Sequence, residues 1–204
     1  MKIGKLYLGG FLVLVLLGIF TIGMANAQFP DLSQWEGKWF KLTVKTAETV
    51  YNGVKIETEN INSVIYLGIT KFNSPAELTG VVWQQNDAGA WEQEGEIKIK
   101  VIGGTNLDFL CTYMQSDDSK TNPMYFGFSA RVTGKLSKGV LKSATFKTLG
   151  GFSWEQNFSL NSEYFVSGFS ISGSIIDPSK LPFPPPTLIP WKTFRFGCWK
   201  KNWE

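Results

Sequence analysis

The sequence predicts an all-β domain, most simply an antiparallel up-and-down β-barrel of about eight to ten strands followed by a proline-rich tail. From residue 35 to residue 176, short segments alternate apolar and polar side chains, with turn residues between them. After the N-terminal segment, no apolar stripe at helical spacing is longer than about two turns. The pattern does not by itself show closure, so a two-sheet β-sandwich is the alternative architecture.

The N-terminal segment, residues 1–27, has the three parts of a secretory signal peptide. Lys2 and Lys5 precede an apolar run over residues 8–22, and Ala25-Asn26-Ala27 places small residues at a cleavage site. We therefore expect cleavage after Ala27 and export to the periplasm or the extracellular space. An uncleaved membrane anchor is the alternative, because residues 6–27 carry no charge.

Nine strands are predicted within the barrel domain, residues 28–177. The clearest covers residues 91–101, where apolar residues and glycine alternate with glutamates and lysines. Residues 124–133 and 164–176 repeat this alternation. Weaker patterns predict strands over 39–46, 53–58, 64–70, 78–85, 107–114 and 139–148. Turn signals separate them at Asn52-Gly53, 86–89, Gly103-Gly104, 116–123 and Gly150-Gly151.

The predicted interior of the barrel is apolar and rich in aromatic rings. A barrel of about eight strands has room for a packed core or for one small ligand. The interior set therefore has two interpretations, a pocket for a small hydrophobic molecule and an ordinary filled core. The residues expected to face inward are Ile65, Leu67, Trp83, Ile97, Ile99, Phe109, Phe126, Phe128 and Phe169.

The first barrel strand opens with Gly37-Lys38-Trp39, which resembles the glycine–any residue–tryptophan entry motif of lipocalins. The resemblance implies that Gly37 lets the chain bend and that Trp39 plugs the closed end against a basic residue, Arg131 or Arg195. A helix-free meander is equally similar to the avidin barrel, although biotin-contacting residues are not placed on this chain. The run over residues 126–151 also resembles exported bacterial proteins of uncharacterised function.

Charge and composition exclude several classes of function. Loss of the two signal-peptide lysines lowers the formal net charge from +3 to +1, which argues against nucleic-acid binding. The chain has no histidine, so catalytic triads and Cys-His pairs are excluded, and neither a metal site nor a cofactor is expected. Glu92, Glu94 and Glu96 share one strand face with lysines, which predicts a solvated exterior rather than a catalytic pair.

The C-terminal tail, residues 178–204, has its own composition. Six of the nine prolines lie between Pro178 and Pro190, which predicts an extended segment on the barrel surface. Residues 191–204 interleave tryptophan and phenylalanine with lysine and arginine, a combination suited to a membrane surface or an envelope partner. The two cysteines, Cys111 and Cys198, predict one disulfide in an oxidising compartment, with two free thiols as the alternative.

Three hypotheses of function follow. The first is an exported, non-enzymatic barrel that binds or carries a small apolar ligand. The second is an envelope or surface interaction protein that uses its aromatic and basic tail. The third, an enzyme without histidine, requires a carboxylate that the sequence does not single out.

Overall fold

The computed structural model describes residues 29–45, 48–56, 62–168 and 170–184. A short 3-10 turn, Ser33–Trp35, comes first, and a second, Pro178–Lys180, comes last. The strand segments between them are β1 (Trp39–Lys45), β2 (Glu48–Tyr51), β3 (Val54–Ile56), β4 (Ser63–Asn73), β5 (Glu77–Gln85), β6 (Trp91–Gly104), β7 (Asp108–Asp117), β8 (Met124–Ser137), β9 (Val140–Asn157), β10 (Ser162–Ser167) and β11 (Ser170–Ile176).

The sheet closes into an antiparallel barrel of eight strands, which confirms the predicted fold class. Strands β1 and β4 to β9 follow one another around the barrel, and β11 completes it. The closure is visible at Ser174, which is opposite Lys41 of β1 on one side and Thr145 of β9 on the other. The barrel is therefore an up-and-down meander rather than a two-sheet sandwich.

Three further segments lengthen the barrel wall at one end. Strands β1 and β2 pair with β11 and β10 in one continuous register, since Lys45 is opposite Ser170 and Glu48 is opposite Ser167. Strand β3 then returns beside β2 through the turn Asn52-Gly53. Both turn residues have positive φ, 47° and 75°, the geometry of a tight type I′ hairpin.

The two ends of the barrel differ in how the chain covers them. The turns at 74–76, 105–107 and 138–139 lie at the closed end, where Ser33–Trp35 contacts β4 and β9 and hydrogen-bonds to Asn106. At the open end are the turns at 52–53, 86–90, 118–123 and 158–161. In the described part of the chain, the turn that plugs the barrel, Ser33–Trp35, therefore lies at the closed end.

Two of the predicted turns lie within strands. Gly103-Gly104 forms the end of β6, and the turn follows at residues 105–107. Gly150-Gly151 lies inside the long strand β9, where Ser129 is opposite Gly150 and Ala130 is opposite Thr148. Leu149 is the extra residue of this β-bulge, and 63% of it is exposed. A bulge bends a strand without ending it, so a glycine pair at this position accommodates curvature rather than a chain reversal.

The start of the predicted tail lies against the outside of the barrel. After β11, the turn Pro178–Lys180 is capped by the Asp177 carboxylate, which accepts a hydrogen bond from the Ser179 backbone N–H at 2.9 Å. Phe183 then packs on the barrel surface with 6% of its area exposed. The predicted signal peptide and residues 185–204 lie outside the described residues. Within the described ranges, no helix is long and apolar enough to cross a membrane.

Candidate functional site

The closed end of the barrel is plugged by Trp35, which is fully buried. Its ring is nearly parallel to Phe40, with centroids 6.1 Å apart, and meets Phe109 edge-on at 5.3 Å. The indole N–H donates a hydrogen bond to the Asn106 carbonyl at 3.0 Å, so the polar edge of the ring is satisfied. Gly134 makes room for the ring, because a Cβ there would lie 3.0 Å from two of its atoms.

The half of the barrel above this plug is filled by side chains. A cavity of about 10 Å³ remains among apolar residues that include Trp35, Leu67 and Phe146. That volume is close to the smallest that holds one water molecule, and the apolar lining offers a water no hydrogen-bond partners. The interpretation of a filled core therefore holds for the closed half.

Toward the open end, a triad of aromatic rings continues from this core. Tyr113, Phe126 and Phe128 lie within 5.6–6.2 Å of one another by ring centroid, and Phe128 meets Phe146 of the lower core at 5.9 Å. Tyr113 and Phe128 are buried, whereas Phe126 is only half-buried. The rings thus form a ladder from the dry core to the rim of the barrel.

Polar groups accompany these rings. The Tyr113 hydroxyl donates to Gln115 Oε1 at 2.8 Å, and burial raises the pKa of Tyr113 to about 12. Thr49 and Val166 are almost fully buried. They lie in one cross-strand row with Ser153 and Phe126. We define the open-end cluster by the residues that share this half of the barrel, Thr49, Tyr113, Gln115, Phe126, Phe128 and Val166.

Most of the predicted interior residues face inward. The structure places seven of the nine in one continuous core, where Phe126 is the half-buried member at the open end. These seven are Ile65, Leu67, Ile97, Ile99, Phe109, Phe126 and Phe128. Phe169 lies outside the described residues. The sequence analysis did not single out Tyr113 and Gln115, although their spacing from Phe109 at period two would have placed them on the inward face.

The inward placement of Trp83 was wrong. Val82 is buried in the core opposite Gly95, so its neighbour Trp83 points to the outside of the barrel. The strand has three successive apolar residues at 81–83, which conceal the alternation of faces. A bulge at Glu94, which has no partner between Gly95 and Gln93, also turns Trp91 outward.

The entry motif is used differently from the implied arrangement. Gly37 has φ of 71° and bends the chain, but Trp39 lies outside the barrel, and Trp35 is the plug. Arg131 pairs with Asp108 instead of Trp39, through its Nε at 2.8 Å and its Nη2. This ion pair lowers the pKa of the Asp108 carboxyl. Arg195 lies outside the described residues.

Cys111 is a free thiol inside the barrel core, with none of its surface exposed. Its side chain lines the small cavity above Trp35. The expected disulfide to Cys198 is not seen, and Cys198 lies outside the described residues. A partner cysteine would have to enter the filled core to meet this sulfur, because a disulfide needs Cβ atoms about 3.8 Å apart.

We expect Cys111 to resist alkylation in the native protein. Burial raises the pKa of its thiol to about 12. The thiolate is the reactive form, so only a very small fraction of Cys111 is reactive at pH 8. Iodoacetamide should label Cys111 only after denaturation, as read by peptide mass spectrometry without reduction. Rapid native labelling, or a peptide joined through Cys111 and Cys198, would contradict this placement.

The three glutamates on β6 do not share one strand face as predicted, because the bulge at Glu94 interrupts the alternation between Glu92 and Glu96. Glu92 Oε1 accepts a hydrogen bond from the Asn86 side chain at 2.6 Å, and Glu94 lies at the bulge. Glu96 is opposite Val81 on the outer face, where desolvation raises its pKa. Among the described residues, no three cysteine, aspartate or glutamate side chains converge as a metal site.

Comparison with known proteins gives no family assignment. No protein-family model matches the chain, and no curated protein matches its sequence.

Proposed function

We propose that this protein is an exported, non-enzymatic β-barrel that binds a small, mainly apolar ligand at the open end. The observation that carries the proposal is the contrast between the two halves of the interior. The closed half is plugged by Trp35 and retains about 10 Å³. The ring ladder of Tyr113, Phe126 and Phe128 ends at a half-buried phenylalanine near the rim.

The chemistry of the open-end cluster indicates the class of ligand. Aromatic and aliphatic side chains there favour an apolar body, because burying such a surface releases water. The Tyr113 hydroxyl and the Gln115 amide are hydrogen-bonded to each other and provide a polar pair that can orient one hydroxyl or carbonyl group. Sites for small molecules commonly combine an apolar wall with a few such groups.

Export and lack of catalysis are parts of the same proposal. The signal-like segment ending at Ala27 supports export to the periplasm or the extracellular space. The absence of histidine and the dispersed glutamates of β6 support binding rather than turnover. The lipocalin-like and avidin-like resemblance is consistent with a carrier barrel, although Trp39 does not have the role that the motif implies.

The test is binding of 8-anilinonaphthalene-1-sulfonate, an apolar fluorophore with one anionic group. Phe126→Gln should weaken binding at least tenfold, because loss of the buried ring contact removes about 1.5 kcal/mol or more. Tyr125→Gln is the matched control, since Tyr125 is the neighbouring residue on the outer face, beside Trp154. It should change the dissociation constant less than about twofold.

Two results would contradict the proposal. One is the absence of saturable binding to the folded wild-type protein. The other is equal weakening by Phe126→Gln and Tyr125→Gln, which would assign the fluorophore to no particular side of the barrel wall. Circular dichroism of each variant shows whether the β-structure is retained.

A further inference from the structure

The outside of the barrel carries an aromatic cage that is separate from the open-end cluster. We define the outer aromatic cage by Trp39, Tyr66, Trp83 and Trp91. Its occupant is Phe183, whose ring is stacked on Trp83 at 4.1 Å with 7° between the planes. The centroids of the other three rings lie 5.5–5.8 Å from that of Phe183: Tyr66 at 5.5 Å, Trp91 at 5.7 Å and Trp39 at 5.8 Å.

Local features of the strands build this cage. The Trp39 ring lies over Gly68, where a Cβ would come within 2.7 Å of the indole, so glycine is the residue that permits the contact. The bulge at Glu94 brings Trp91 to the same outer face as Trp83. Phe183 covers these rings, so that Trp39 is only 7% exposed and Tyr66 only 6%. Without Phe183 the four rings would form a contiguous exposed apolar patch, the kind of surface that marks interaction sites.

The segment that occupies the cage has the character of a polyproline II ligand. Phe183 stands between Pro182 and Pro184, and Leu181 has φ of −67° and ψ of 139°, close to ideal polyproline II values. Aromatic-lined grooves recognise such segments because the extended conformation is preformed. Only Phe183 is buried and Leu181 half-buried, while Pro182 and Pro184 are exposed, so one ring anchors the segment.

The cage also has an unused hydrogen-bond donor. The indole Nε1 of Trp83 is buried and has no acceptor among the described residues. Buried tryptophan N–H groups usually have a partner. Up to Pro184, the last described residue of the segment, the chain supplies a ring to Trp83 but no acceptor to this N–H.

We infer that the outer aromatic cage is a binding site for an extended peptide segment of the form proline–aromatic–proline in a partner protein, and that Phe183 occupies it in cis. The partner's aromatic ring replaces Phe183 between Trp83 and Tyr66. A carbonyl of the partner segment accepts the hydrogen bond from Trp83 Nε1. The C-terminal segment then serves as a competitor that the partner displaces.

The experiment uses the whole protein carrying Phe183→Ala and a synthetic peptide of residues 178–186, PSKLPFPPP. Binding is followed by intrinsic tryptophan fluorescence, since Trp83 and Trp91 line the site. The variant should bind the peptide at least tenfold more tightly than wild type does, because its cage is empty. Phe158→Ala is the matched control: Phe158 is 60% exposed at the open end, and this variant should bind the peptide as wild type does.

A peptide with alanine in place of phenylalanine should not bind Phe183→Ala. If that variant does not fold, Phe183→Leu, which keeps the cage filled with a smaller side chain, should show an intermediate gain over wild type. Equal peptide affinity for wild type and the folded variant would overturn the inference. A wild-type dimer that dissociates on Phe183→Ala would also overturn it, because the cage would then hold the segment of a second copy.

Discussion

Trp35→Ala is expected to destabilise the protein by about 3–5 kcal/mol, the range for removing a large aromatic side chain from a packed core. The substitution removes the ring that is stacked on Phe40 and meets Phe109 edge-on, and it leaves the Asn106 carbonyl without its donor. It also enlarges the adjacent cavity, which does not collapse easily because strands surround it. Urea denaturation followed by circular dichroism measures the change in the free energy of unfolding.

Trp154→Ala is the control for this prediction. Trp154 is half-buried on the outer face beside Tyr125, with a ring-centroid distance of 5.6 Å. Its removal should cost about 1 kcal/mol, the centre of the range for single substitutions. Equal destabilisation by the two substitutions would mean that Trp35 does not have a special role as the plug of the closed end.

Gly173→Val is expected to open the seam where the last strand meets the first. Gly173 is opposite Leu42 of β1 and Phe146 of β9. A Cβ at Gly173 would collide with the Lys41 carbonyl oxygen and lie 2.9 Å from the Leu42 Cα. Because these are backbone atoms, they cannot move aside as a flexible side chain does, and we expect a loss of about 3 kcal/mol.

Hydrogen exchange followed by mass spectrometry locates this effect. Amide protection in β1 and β11 should fall before protection in β7 and β8, because the seam opens first. Ser172→Val is the matched control: Ser172 is the preceding residue, is exposed on the outer face and is opposite Thr43, so its substitution should change stability by less than about 0.5 kcal/mol. Uniform loss of protection in Gly173→Val would contradict a local opening of the seam.

Strand positions were predictable from the sequence because alternation and turn residues act locally. The strand predicted over 91–101 corresponds to β6 (Trp91–Gly104), and Asn52-Gly53 forms the expected hairpin turn. Closure was not predictable, since it depends on pairing between β1 and β11, which are more than 100 residues apart in the chain. Alternation predicts which side chains share a face of a strand, but it does not predict that β1 pairs with β11.

The sequence-based prediction was weakest for the face of the barrel wall on which each tryptophan side chain lies. At Trp83 three successive apolar residues remove the period of two, and at Trp91 a bulge reverses it. Trp35 and Trp39 are separated by Gly37 in a left-handed conformation, so period-two spacing does not relate their orientations. These are tertiary effects, which explains why the interior cluster was largely predicted while the plug and the outer aromatic cage were not.

The most direct test of the proposed function is to map the bound fluorophore by nuclear magnetic resonance. Titration of ¹⁵N- and ¹³C-labelled protein with 8-anilinonaphthalene-1-sulfonate should shift resonances of Tyr113, Gln115, Phe126 and Val166 at the open end. Those of Trp35 and its neighbours should stay unchanged, because the closed half is filled. Shifts confined to Trp83 and the outer aromatic cage, or no saturable shift at all, would contradict a ligand site inside the barrel.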